Sequence, residues 1–145
     1  MSIICSMMTS TLSPSQGLRR HWLGAAIWLL PLAAAATGAT DQLAGYESAA
    51  GRRGNAAQGE AFFTAKHGRE WACASCHGVP PTKPGQHRST GKAIAPLAPA
   101  FEPKRFTEPA KTEKWFRRNC NDVLGRECNA GEKADVLAWL VGLKP

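Results

Sequence analysis

Beyond Met8 the 145-residue sequence contains no methionine, so thioether sulfur takes no part in the chemistry of the remaining chain. Acidic residues are missing from the first 40 positions, and tyrosine occurs once, at Tyr46. The longest apolar run, Trp22 to Ala36, has 15 residues, short of the roughly 20 that a transmembrane helix needs. A multi-span membrane protein is therefore excluded. Internal repeats, low-complexity tracts and alternating strand patterns are also missing, which argues against a β-sandwich, a barrel or a solenoid. What remains is an ordinary globular balance, 43% hydrophobic and 20% charged, with a formal charge of +7. One domain is the expected content.

The first 39 residues read as a cleaved secretory signal peptide. Arg19 and Arg20 precede the apolar run, which ends in four alanines and Thr37-Gly38-Ala39, the order basic, apolar, small. Cleavage is expected between 36 and 39 and places the protein in the periplasm; a retained anchor is the alternative reading of the same run. Arg19-Arg20 weakly suggests twin-arginine export, but ordinary secretion suits a chain modified while unfolded. Removing the two arginines lowers the formal charge from +7 to +5.

Residues 40–54 are small and polar, and we read them as an N-terminal extension with one short helical turn around Leu43 to Tyr46. Residues 55–145 form the domain. A helix is expected from Asn55, with Gln58 at the position of a capping box and Gly59, Phe62 and Phe63 on one face, to about Lys66. Six prolines between Gly78 and Pro103 forbid a long helix or a central strand there. A second helix is expected from about Glu108 to Asn119, capped by Thr107, with Pro109 in its first turn and Trp115 and Phe116 facing inward. A third has Asn129 as cap, Glu132 as its reciprocal partner, and an apolar face of Ala134, Leu137, Ala138, Trp139, Leu140 and Val141. The domain thus reads as all-α with a long proline-rich loop. Gly59, Phe62 and Phe63 should meet Trp139 and Leu140 where the first and last of these helices cross.

Cys73-Ala74-Ser75-Cys76-His77 is C-x-x-C-H, the attachment signature of a c-type haem. The two thiols add to the haem vinyl groups, and the adjoining histidine becomes the proximal iron ligand. A redox dithiol would require a βαβ setting that the neighbouring prolines do not offer. Zinc would require a second ligand pair, which Cys120 and Cys128 could supply. In an oxidising compartment these two cysteines instead read as a disulfide closing a loop of about nine residues, worth about 2.5 kcal/mol by loop entropy. A redox-active bond or free thiols are the other readings.

The sixth iron position is open to several donors. Methionine is excluded by counting. His67 and His87 both qualify chemically, and ten residues of chain reach up to about 33 Å, so distance does not eliminate His87. From the residues alone His87 ranks first, an open site second, and a weak oxygen or nitrogen donor third. Ile94 to Leu97 is expected to pass on the proximal side, where a backbone carbonyl would hold the His77 Nδ1 proton.

The combination of Ser89 to Pro99, Arg105-Phe106-Thr107, Glu113 to Asn121, Gly125 to Cys128 and Gly131 to Asp135, continued upstream through Cys73–His77 to Leu43–Glu47, resembles the sphaeroides haem protein (SHP) family of class I cytochromes c. The likeness spans nearly the whole exported chain. It implies the class I cytochrome c fold around one covalent haem c, which would be high-spin, with an asparagine as sixth ligand at the position of Asn119. It also implies a disulfide matched by Cys120 and Cys128, and loss of the asparagine on reduction, so that ferrous haem takes up oxygen, nitric oxide or carbon monoxide. Independently, an amide oxygen is a hard, weak-field donor that suits ferric iron better than ferrous.

The resemblance further implies electron delivery from a dihaem cytochrome c and a membrane cytochrome b. The moderate positive charge, spread over Arg52-Arg53, Lys104-Arg105, Lys111, Lys114 and Arg117-Arg118, suits an acidic redox partner. Nucleic acid is not expected, because the arginines lack interleaved stacking aromatics, and a monomer is expected. An electron-transfer and gas-binding protein therefore fits better than a dedicated enzyme. A low-spin carrier with a histidine sixth ligand and a nitric oxide dioxygenase are the rival readings.

Overall fold

The computed structural model describes residues 38–145, so the expected signal peptide and Cys5 lie outside the described residues, apart from its last two positions. Among the described residues five helices carry the fold: α1 (Ala39–Ala50), α2 (Ala56–Thr64), α3 (Cys73–His77), α4 (Pro109–Leu124) and α5 (Ala130–Gly142). Two two-residue strands, β1 (Gly85–Gln86) and β2 (Ala93–Ile94), pair antiparallel inside the proline-rich loop, with Gly85 opposite Ile94. They are the regular structure the prolines still permit.

Residues 40–54 are not an extension. They form the twelve-residue α1, started by the Asp41 carboxylate accepting from Gly38 N at 3.0 Å and stopped by Gly51 at φ 66°. Tyr46 sits in the main core with Phe63, Leu137, Trp139 and Leu140, and Leu43 packs against it. Helix α1 is therefore part of the domain, laid on α5.

The crossing of α2 and α5 is the structural centre. Asn55 caps α2 by accepting from Gln58 N at 3.1 Å. Gly59 faces α5 so closely that a Cβ there would run into the Asp135 carbonyl oxygen. Phe63 and Trp139 then meet at 5.1 Å between ring centres, as the two apolar faces require. Helix α5 starts from the reciprocal box the sequence indicates: Asn129 Oδ1 accepts from Glu132 N at 2.9 Å, and Glu132 Oε2 from Asn129 N at 2.8 Å.

Asp135, buried beside this crossing, holds α1 to α2 and α5. Its carboxylate accepts from both Arg52 Nη atoms at 2.7 Å and from Asn55 N at 2.7 Å. The Arg52 hydrogen bonds hold the Asp135 carboxyl below its ordinary value. A depressed folded pKa means that the contribution exists above the unfolded pKa and is lost as pH falls through the folded one. Asp135→Asn is accordingly expected to lower stability at neutral pH, with the gap to wild type closing in acid. Urea denaturation at stepped pH reads this; a gap independent of pH would show that the carboxylate charge is not the stabilising element.

Helix α4 is longer than its sequence signals suggest. Glu108 rather than Thr107 is the N-cap, Pro109 opens the helix, and the helix continues past Asn119 to Gly125, whose φ of 76° ends it. Thr107 Oγ1 donates to the Lys104 carbonyl instead. The inward row is Thr112, Phe116, Cys120 and Val123, the i, i+4, i+8, i+11 spacing of one helical face. Trp115 falls off that row and is 45% exposed, contrary to the inward position expected of it. Phe116 does turn inward, edge-on to Tyr46 at 5.6 Å.

Candidate functional site

Cys73, Cys76 and His77 lie on the single short turn of α3, which Ser75 caps by accepting from Ala72 N at 3.0 Å. Both thiols are unbonded and half-buried. Burial pushes the Cys73 thiol up to about 11, the reverse of the depressed value a redox C-x-x-C motif uses. Cys120 and Cys128, the second pair a zinc site would need, stand with their sulfurs 2.03 Å apart and their Cα atoms 5.6 Å apart.

His77 packs on the core through Phe63, at 6.1 Å between ring centres. Burial first, then the charge of the Arg105 guanidinium, lowers its pKa to about 4. The imidazole is thus neutral at neutral pH, the form whose lone pair can ligate a metal. Two features of the loop that the sequence did not reveal hold this turn in place. Gly85 of β1 lies directly over the Cys76 carbonyl, where a side chain would collide. Pro81, fully buried, accepts from Leu97 N and Ala98 N at 3.0 and 3.2 Å and ties the returning loop to the motif.

The stretch 94–97 does return beside α3, but its carbonyls are used differently from expectation. Ala95 and Pro96 accept from the Arg105 guanidinium at 2.6 and 2.8 Å, and no hydrogen bond reaches the His77 ring among the described residues. The planar fork of arginine suits two successive carbonyls better than an imidazole does. Arg105 is a clamp on this loop that sequence reasoning missed, because its partners lie nine and ten residues away and carry no charge.

Among the sixth-ligand candidates, His67 has Nε2 2.8 Å from the Phe62 carbonyl and its ring tilted against Phe62 at 4.4 Å. His87 has Nδ1 3.1 Å from Ser89 Oγ. Asn119 is exposed, at the edge of the inward row of α4, one turn beyond Trp115 and next to Cys120. Its amide makes no hydrogen bond among the described residues. It is not brought into contact with His77. Arg118 lies over the Trp115 ring at 5.2 Å, a surface pairing.

This donor set fits a covalent porphyrin: two free thiols three residues apart, a neutral buried imidazole, and apolar surface left open close by. That surface is Val79, two residues past His77 and 52% exposed. Comparison with known proteins agrees. A family model described as a domain of unknown function (DUF1924) matches residues 49–140. The chain is 47% identical over 127 residues to the cytochrome c-type protein SHP of Cereibacter sphaeroides, covering 85% of this chain and 98% of that protein.

The chain belongs to the SHP family of c-type cytochromes. Its fold resembles the solved structure of oxidized SHP, an oxygen-binding cytochrome c, with a TM-score of 0.69 and 50% identity, covering 74% of this chain and 98% of that one. The crystal structure of oxidized cytochrome c'' from Methylophilus methylotrophus gives a TM-score of 0.66 at 36% identity, over 74% and 95% of the two chains. The mostly helical, class I-like cytochrome c fold is thereby established, as is one covalent haem c as the cofactor of this SHP-family chain.

Proposed function

We propose that this protein is a periplasmic monohaem cytochrome whose ferric form has the Asn119 amide as its sixth ligand and whose ferrous form, with that ligand gone, binds a diatomic gas. The observation that carries the proposal is the uncommitted amide of Asn119 on α4, in a chain with no methionine beyond Met8. The oxygen binding of the related SHP supports it.

In this reading Cys73 and Cys76 would hold the haem through thioether bonds, and His77 would supply a nitrogen to its iron. When bound, the haem supplies a one-electron iron couple and, in its ferrous state, affinity for oxygen, nitric oxide and carbon monoxide. Asn119 would supply a weak, hard oxygen donor that suits ferric iron better than ferrous. The Cys120–Cys128 bond holds the backbone next to Asn119, so release is a side-chain rotation rather than unfolding of α4. Electrons arrive from an acidic redox partner, a dihaem cytochrome c fed by a membrane cytochrome b, steered by the basic residues of α4. The leader delivers the chain to the periplasm.

Asn119→Ala tests the assignment. The variant is expected to keep its covalent haem, to change the ferric optical spectrum, and to bind carbon monoxide faster once reduced. Wild-type protein is expected to give a high-spin reduced spectrum that shifts at once with carbon monoxide. Unchanged spectra and rates in the variant would place another group on the iron. A low-spin reduced wild type indifferent to carbon monoxide would favour a plain carrier ligated by His87.

A further inference from the structure

Lys133 is the fourth residue of α5, close to the helix N-terminus, where the dipole disfavours a cation. Its side chain is only 13% exposed, whereas the other ion-paired cations among the described residues are at least 45% exposed. Both features cost free energy. A cation withdrawn from water in this way adds little to stability even when paired, and its use lies in fixing one arrangement of its neighbours.

Those neighbours come from two other helices. Lys133 Nζ lies 2.6 Å from Glu113 Oε2 on α4 and over two rings, Tyr46 of α1 at 5.5 Å and Phe116 of α4 at 5.9 Å. Helix α4 needs such a tie. Helices α1 and α2 pack along α5, but among the described residues α4 lies along no other helix in that way. A groove of about 460 Å³ opens between α1 and the starts of α4 and α5, with Tyr46, Pro109, Glu113, Ala130 and Lys133 in its lining. The near half of α4 thus has room to shift, while its far turn is pinned by the Cys120–Cys128 bond. Asn119 stands six residues past Glu113 and next to that pin. A swing of the near half would therefore turn Asn119 more than it would displace it, and a ligating group tolerates only about 10–20° of misdirection.

We infer that Lys133 is a positioning residue for the sixth ligand: by clamping Glu113 and Phe116 it sets the orientation of α4 at which the Asn119 amide meets ferric iron. The inference rests on the ligand role proposed for Asn119 and adds the device that lets so weak a donor compete, since a donor held in place loses less freedom on binding. With the clamp released, the unligated ferric population grows, and the apparent affinity of a competing ligand grows in proportion.

The test is an optical titration of the ferric holoprotein with imidazole at about pH 8, where this probe is largely uncharged and does not register a lost cation. Lys133→Met keeps the stem between the two rings and removes the ammonium, and about tenfold tighter imidazole binding is expected. Lys133→Arg keeps the charge and the ring contacts, so its affinity should match that of the wild type. Asn119→Ala sets the limit: the double variant Lys133→Met/Asn119→Ala should bind no more tightly than Asn119→Ala alone. A wild-type affinity in Lys133→Met, even beside a lowered melting temperature, would overturn the inference. So would an equal gain on the Asn119→Ala background, since α4 would then act as a steric gate. If Lys133→Met gives no folded holoprotein, Glu113→Ala breaks the same pair from its half-exposed side, and a wild-type affinity there is equally fatal. An Asn119→Ala affinity equal to wild type sinks the ligand assignment and the clamp with it, whereas an altered Asn119→Ala beside an unaltered Lys133→Met sinks the clamp alone.

Discussion

Gly59→Val is expected to cost about 3 kcal/mol or more, whereas Gly45→Ala, fourteen positions earlier, is expected to stabilise. At Gly59 the first added carbon meets the Asp135 backbone carbonyl, which cannot rotate away as a side chain would, so either α2 or α5 must shift. For a domain of this size that cost corresponds to a drop in melting temperature of about 12 °C or more. Gly45 lies mid-helix in α1 and a Cβ there would meet nothing within 4 Å. Alanine at that position removes only the entropic penalty of glycine, a gain of about 0.5–1 kcal/mol. Circular dichroism melts of the two holoprotein variants read the contrast. Equal melting temperatures would mean that the α2–α5 crossing is looser than the carbonyl contact implies.

That crossing was legible in the sequence because each of its parts leaves a local mark. Asn55 and Asn129 stand where caps stand, Glu132 completes a reciprocal box, and Gly59 interrupts an aromatic face at one point. Helix α1 leaves no such mark. Its inward residues are sparse, Gln42, Leu43 and Tyr46 among alanines and glycine, and its helicity comes from lying on α5 and from the Asp41 and Gly51 ends. Tertiary packing, not propensity, decides such a segment. The far end of α4 was also misread. The helix runs past Asn119 to Gly125, the residue whose left-handed backbone stops it.

The candidate site divides in the same way. Cys73, Cys76 and His77 are contiguous, so spacing alone discloses them. Arg105 and Gly85 act through backbone atoms far along the chain, Ala95, Pro96 and Cys76, and no residue pattern records a carbonyl's direction. Asn119 was reached through resemblance, since an asparagine on a helix has many ordinary roles. The structure adds that it is not the helix end and that its amide is uncommitted.

Helix α4 is fastened at points rather than along its length. Lys133 Nζ holds Glu113 at 2.6 Å near the start, Phe116 meets Tyr46 and Phe106 in the middle, and the Cys120–Cys128 bond secures the far turn. Hydrogen bonding from Lys133 opposes the burial that would otherwise raise the Glu113 carboxyl, and holds it below its ordinary value. The position one residue before the disulfide is therefore constrained in backbone and unrestrained in side chain. A ligand placed there can be exchanged by mutation without moving the helix, which makes the identity of the donor the experimental variable.

Asn119→Met is accordingly expected to convert the proposed gas-binding site into that of an electron carrier. The thioether is a soft donor that favours ferrous over ferric iron, so the potential should rise and the reduced spectrum should become low-spin. Carbon monoxide would then have to displace a persistent ligand. If the open form falls to a tenth of the population, apparent affinity falls about tenfold. Asn119→Ala should move in the opposite direction for ligand entry, leaving the ferrous protein at least as reactive as wild type. The pair of variants separates coordination from packing, because both remove the amide but only one supplies a donor. Rapid carbon monoxide binding retained in Asn119→Met, with an unaltered reduced spectrum, would show that position 119 does not face the iron and would return the sixth site to His87.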